Sequence, residues 1–113
     1  MKVEVRFRGI QPSRSLRDHA LRRIRLHIGR FGPGVRSVVM RIGDVNGPKG
    51  GVDKHCRIMV RGPLLGASTL DELSADAYSA VDAAVARMAR AMNRCIDRAR
   101  SSGYGRPSVR VAS

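Results

Sequence analysis

Aromatic residues are scarce. Phe, Tyr and Trp together make up 4% of the 113 residues, and Trp is absent. That disfavours a nucleic-acid binder built on a platform of exposed rings. Acid is scarce as well: 9 Asp and Glu stand against 22 Lys and Arg, a formal net charge of +13. No apolar run approaches the roughly 18 residues that cross a bilayer. The opening Met1-Lys2-Val3-Glu4-Val5-Arg6 lacks the apolar stretch of a signal peptide. Cys56 and Cys95 are far apart and fit no metal-ligand spacing. Nothing else points to an oxidising compartment, so they read as reduced, half-buried thiols of a cytoplasmic protein, with a disulfide as the lesser alternative. The histidines are His19, His27 and His55, and no H-E-x-x-H, G-x-S-x-G or Cys-His arrangement occurs. His27 falls toward the apolar side of a helix and reads as a boundary residue. No catalytic residue, metal, cofactor or small-molecule substrate is expected, and the chain does not read as an enzyme.

What is present is a core and a great deal of arginine. Hydrophobic residues make up 42% of the chain, too many for a disordered polypeptide. A single domain of this length buries roughly 65% of its unfolded surface. Three of the basic residues are Lys and nineteen are Arg. Such a charge needs a polyanion, nucleic acid first and an anionic membrane second.

Lys2 to Arg8 alternates apolar Val3, Val5 and Phe7 with charged neighbours, the pattern of a half-buried strand. Ser13 to Phe31 reads as a helix, capped by Ser13 or Ser15, with Leu16, Ala20, Leu21, Ile24, Ile28 and Phe31 on one face. Val35 to Gly43 and His55 to Gly62 read as two strands joined through the turn-rich Asp44–Lys54 stretch. A short strand is expected over Leu65 to Leu70. Ser74 to Arg100 reads as the longest helix, capped by Ser74, with Ala77, Tyr78, Val81, Ala84, Val85, Met88, Met92, Cys95, Ile96 and Ala99 inward. Asp71, Glu72, Asp76 and Asp82 cluster near its start, where caps and the helix dipole favour acids. Residues 1–100 form the domain and 101–113 a loose basic tail. The order β-α-β-β-β-α fits an α+β fold: a four-stranded, mainly antiparallel sheet with both helices on one face. Lys2, Arg6, Arg8, Arg41, Arg57 and Arg61 then fall on the other, solvated face.

Arg87, Arg90, Arg94 and Arg98 recur at three- and four-residue spacing and make one ridge, interrupted only by Asp97. The first helix adds Arg22, Arg25 and Arg30, with Asp18 the sole nearby acid. Two such ridges repel each other within a Debye length of roughly 10 Å, and a polyanion relieves that. Arginine suits bidentate phosphate contacts, so backbone and shape recognition of structured RNA fits better than stacking. The loop supplies Lys49 and Lys54. A basic finger on a nucleic-acid backbone and a plain hairpin loop weigh equally there. It is no phosphate-cradling loop of the usual kind, because a strand rather than a helix follows it.

The run Asp76-Ala77-Tyr78-Ser79-Ala80-Val81-Asp82 resembles the D-x-Y-x-A-I-D signature of the ribosome hibernation promoting factors, also called ribosome-associated inhibitors or sigma modulation proteins. Leu16-Arg17-Asp18-His19 resembles their A-L-R-x-H/Y helix start, Ile42 to Val60 their strand pair around a variable loop, and Arg87 to Arg100 their second helix. The resemblance spans about residues 1–100 and implies a fold similar to a double-stranded-RNA-binding domain. It implies occupation of the mRNA and tRNA channel of the small ribosomal subunit during stress or stationary phase, through 16S-type rRNA. Tyr78 and Val81 would be core residues. The Gly-rich loop and the Leu65–Ala75 connection depart from the family pattern, and no contact is carried over there. The chain resembles a short form, and whether a further protein completes ribosome pairing stays open. The competing reading is a general basic RNA-binding module, or an RNA chaperone, acting on free RNA.

Overall fold

The computed structural model describes residues 1–45, 53–63 and 66–101. Four strands and two helices follow in the expected order: β1 (Lys2–Arg8), α1 (Arg14–His27), β2 (Ser37–Asp44), β3 (Lys54–Gly62), β4 (Gly66–Ser74) and α2 (Ala77–Ser101). A 3-10 segment, Gly29–Gly34, links α1 to β2. The strands lie side by side as β1-β2-β3-β4. β2–β3 and β3–β4 are antiparallel, as hairpin neighbours must be. β1–β2 is parallel, because α1 carries the chain back to the starting end of the sheet before β2 begins.

Alternation places one side of each strand under the helices. Val5, Val38, Met40, Ile42, Cys56, Ile58 and Val60 are buried from the sheet. Leu16, Ala20 and Ile24 of α1 and Ile28 just past its end meet them, as do Val81, Val85, Met88 and Met92 from α2. Each large aliphatic side chain so buried contributes about 1.5–3 kcal/mol relative to exposure. Ala77, Ala80, Ala84 and Ala89 line the same stripe of α2 and let its backbone lie close to the sheet. Both cysteines are free thiols, Cys56 in the core and Cys95 half-buried on α2. Burial pushes the Cys56 thiol up to about 12, with Asp71 and Glu72 adding to the effect.

Several boundaries differ from expectation for local reasons. The α-helical part of α1 stops at His27, and Gly29–Gly34 continues as a tighter turn. Gly32 there takes φ +56°, which suits only glycine well. Ser13, not Ser15, caps α1, its Oγ accepting from Leu16 N at 3.2 Å. β4 runs on to Ser74 because its ladder with β3 extends as far as Lys54. Ser74 is thus consumed as strand, and Asp76 caps α2 instead, accepting the Ser79 N–H at 3.0 Å. Leu65, expected in β4, and positions 102–113, expected as tail, lie outside the described residues. No helix among the described residues is long and apolar enough to cross a membrane.

Candidate nucleic-acid interface

The helices run parallel, and a polar clasp holds them in register. Tyr78 Oη and Ser15 Oγ share a hydrogen bond of 2.8 Å. The Tyr78 ring meets His19 edge-on with centroids 5.0 Å apart. His19 Nε2 donates to Asp82 Oδ1 at 2.7 Å, and Arg23 Nε lies 3.2 Å from the same oxygen. Tyr78 and Asp82 stand one helical turn apart, so both reach α1 from one side of α2. The outcome corrects the expectation for Tyr78: at 38% exposed it is a boundary residue and not core, whereas Val81 is fully buried. The sequence motif thus has a physical meaning, with Asp76 starting α2 while Tyr78 and Asp82 fix it to α1.

The whole of α2, 25 residues, is about 37 Å long, and most of it runs on past the clasp. Arg87, Arg90, Arg94 and Arg98 are exposed along it. Arg90 and Arg94 have no acid within ion-pair distance among the described residues. Arg87 differs. It is ion-paired to Glu72 of β4 and also donates to the Asp71 carbonyl at 3.2 Å. That partner was invisible in the spacing of α2 alone, since Glu72 arrives from a neighbouring strand. Arg22 and Arg25 of α1 are exposed, and so is Arg30 in the 3-10 segment that follows it. The Arg30 guanidinium sits 4.9 Å from the centroid of the Phe31 ring, which steadies it by a cation–π contact.

The loop lysines separate. Lys49 lies outside the described residues. Lys54 is half-buried and donates to Asp53 Oδ1 at 2.9 Å and to Asp44 Oδ2 at 3.2 Å. Those two hydrogen bonds raise its pKa above the ordinary lysine value. Lys54 therefore ties the base of the loop together and is a poor candidate for a phosphate contact.

The acids expected around the start of α2 are dispersed. Asp71 and Glu72 belong to β4, Asp76 is the cap and Asp82 is in the clasp. His27 is half-buried with its Nε2 unpartnered among the described residues. Among the described residues no group of three or more His, Cys, Asp or Glu side chains is arranged to hold a metal ion.

The open side of the sheet carries Lys2, Arg6, Arg8, Arg41, Arg57 and Arg61, as the alternation implies. Here Arg6 Nε lies 2.6 Å from Glu4 Oε2, and Arg57 Nε lies 2.8 Å from Asp71 Oδ1. The Arg57 hydrogen bond, joined by one from His55, holds the Asp71 carboxyl below the usual carboxylate range.

Comparison with known proteins agrees with this geometry. The family model of the sigma 54 modulation protein / S30EA ribosomal protein matches residues 3–100. The N-terminal domain of Protein Y from Thermus thermophilus superposes with a TM-score of 0.67 at 22% identity, covering 83% of this chain and 98% of that one. A ribosomal subunit interface protein from Coxiella burnetii gives 0.68 at 15% identity, covering 86% and 99%. At such identities the likeness speaks for the fold. No curated protein matches by sequence.

Proposed function

The chain belongs to the sigma 54 modulation protein / S30EA ribosomal protein family, and on that premise we propose that it is a ribosome-binding inhibitor of translation. It occupies the mRNA and tRNA channel of the small subunit in the cytoplasm under stress or in stationary phase. It acts by steric occlusion, without catalysis. The observation that carries this reading is the exposed arginine ridge of α2, Arg90 and Arg94, free of acid among the described residues. Arg22 and Arg25 of α1, with Arg30 just beyond its end, add exposed cations to the helix layer. Arginine forks on phosphate oxygens supply affinity without base readout. Arg98 extends the ridge. Arg87 serves the fold first, through Glu72.

The test is sedimentation of the purified protein with ribosomes on sucrose gradients, with and without bound mRNA and tRNA. The expected result is co-migration with the small subunit that is lost when mRNA and tRNA fill the channel. Co-migration indifferent to mRNA and tRNA would contradict channel occupancy. Equal affinity for naked duplex RNA and for ribosomes would favour a general RNA-binding module.

A further inference from the structure

The helix layer leaves a second set of cations unused, on the opposite side of the sheet. We propose that this open face, centred on Arg8 and Arg41, grips the phosphodiester backbone of a second ribosomal RNA segment while the helices hold the first. The inference rests on the reading of the chain as a ribosome binder.

The strand register carries it. Arg6 of β1, Arg41 of β2 and Arg57 of β3 are direct neighbours in one row, which ends at Asp71 of β4. Like charges directly opposite one another destabilise a sheet. Both flanks of the row are relieved by an acid in the same layer, Arg6 by Glu4 and Arg57 by Asp71. The centre is not. Arg41 has no acid partner among the described residues, and neither do Arg8 and Arg61. Arg41 is half-buried, so its stem packs along its neighbours while its head reaches solvent.

Beside Arg41 the surface opens into a shallow cavity of about 360 Å³, with Arg8 and His55 on its walls and Gly43 between them. Gly43 lets β1 and β2 lie close together here. A Cβ at this position would stand 2.7 Å from the Arg8 carbonyl oxygen, too close for any other residue. The acid at the rim, Asp44, is drawn toward Lys54 at 3.2 Å. The result is a recess lined by Arg8 and Arg41, with His55 beside them, its Nε2 held by Asp71 at 2.9 Å. Arginine forks and a small recess suit a phosphate oxygen cluster. With cations on both broad sides, the domain is suited to lie between two RNA walls.

The experiment measures binding of the full chain to purified small subunits across a salt series, and to the same rRNA stripped of protein. It compares wild type, Arg8→Glu/Arg41→Glu, and Arg90→Glu/Arg94→Glu. The sheet-face double variant is expected to bind at least about tenfold more weakly on both targets, with a salt slope shallower by about 2. Arg41→Gln is a milder companion. It is expected to bind about threefold more weakly, in line with the loss of one phosphate contact, while melting no lower than wild type because it relieves the row. Wild-type affinity and slope in the sheet variants, with the α2 variant impaired, would overturn the second surface and leave the proposed function standing. Weakening on intact subunits but not on stripped rRNA would also overturn it, by pointing to an acidic ribosomal protein. Wild-type protein that binds no subunits would sink the proposed function and this inference with it.

Discussion

The two broad faces of the molecule carry charge of the same sign and manage it differently. On the helix side, two of the acids that could dilute the field are spent between elements. Asp82 joins α2 to α1, and Glu72 joins β4 to Arg87. The outward ridge of Arg90 and Arg94 is left bare among the described residues. On the sheet side, the acids stand in the same layer as the arginines. Glu4 and Asp71 each neutralise a neighbour and leave a narrow gap of positive charge at Arg41. The difference teaches that a count of charges does not locate an interface. An acid that bridges two elements leaves the outward ridge whole, whereas an acid beside an arginine in the same layer divides the field into patches.

The largest expected effect comes from reversing the bare ridge. Arg90→Glu/Arg94→Glu should lower affinity for small subunits about 100-fold at moderate salt, since two phosphate contacts are lost and repulsion replaces them. Its melting temperature should stay within about 2 °C of wild type, because neither side chain serves the fold. Next comes the clasp. Asp82→Ala leaves His19 and Arg23 without their shared carboxylate and should cost about 1–2 kcal/mol in urea unfolding. Removing the cap by Asp76→Ala should cost about 1 kcal/mol. That variant should bind ribosomes normally once folded, which separates the start of α2 from its ridge.

The smallest effect concerns the acid on the sheet face. The Asp71 carboxyl titrates below its unfolded value because Arg57, and then His55, bind its charged form. Its contribution to stability is therefore present above the ordinary carboxylate pKa and lost as pH falls through the lowered one. The side chain is 46% exposed, so the contribution is only a few tenths of a kcal/mol. The gap in melting temperature between wild type and Asp71→Asn should narrow between pH 6 and pH 3.

Much of the fold was legible because its signals are local. Alternation in Lys2–Arg8 and the stripe from Val81 to Met92 each name an element and its buried face without outside help. The sheet-face arginines followed from the same parity. What stayed hidden depends on partners far away in the chain. Ser74 reads as the cap of α2 in the sequence, and Asp76 takes that place because the β3–β4 ladder runs on through Ser74. Tyr78 sits at an inward position of the periodic pattern, yet α1 draws its hydroxyl to Ser15 at the boundary. Arg87 is indistinguishable from Arg90 until β4 brings Glu72 against it. The row Arg6–Arg41–Arg57 exists only once the register is set, since no spacing within one strand reveals it.

The salt dependence of small-subunit binding tests the central claim most directly. With about six phosphates engaged, log affinity should fall against log salt with a slope near −5 for wild type, and near −3 for Arg90→Glu/Arg94→Glu. A shallow wild-type slope, or one that the α2 substitutions leave unchanged, would contradict an interface built on the arginine ridge.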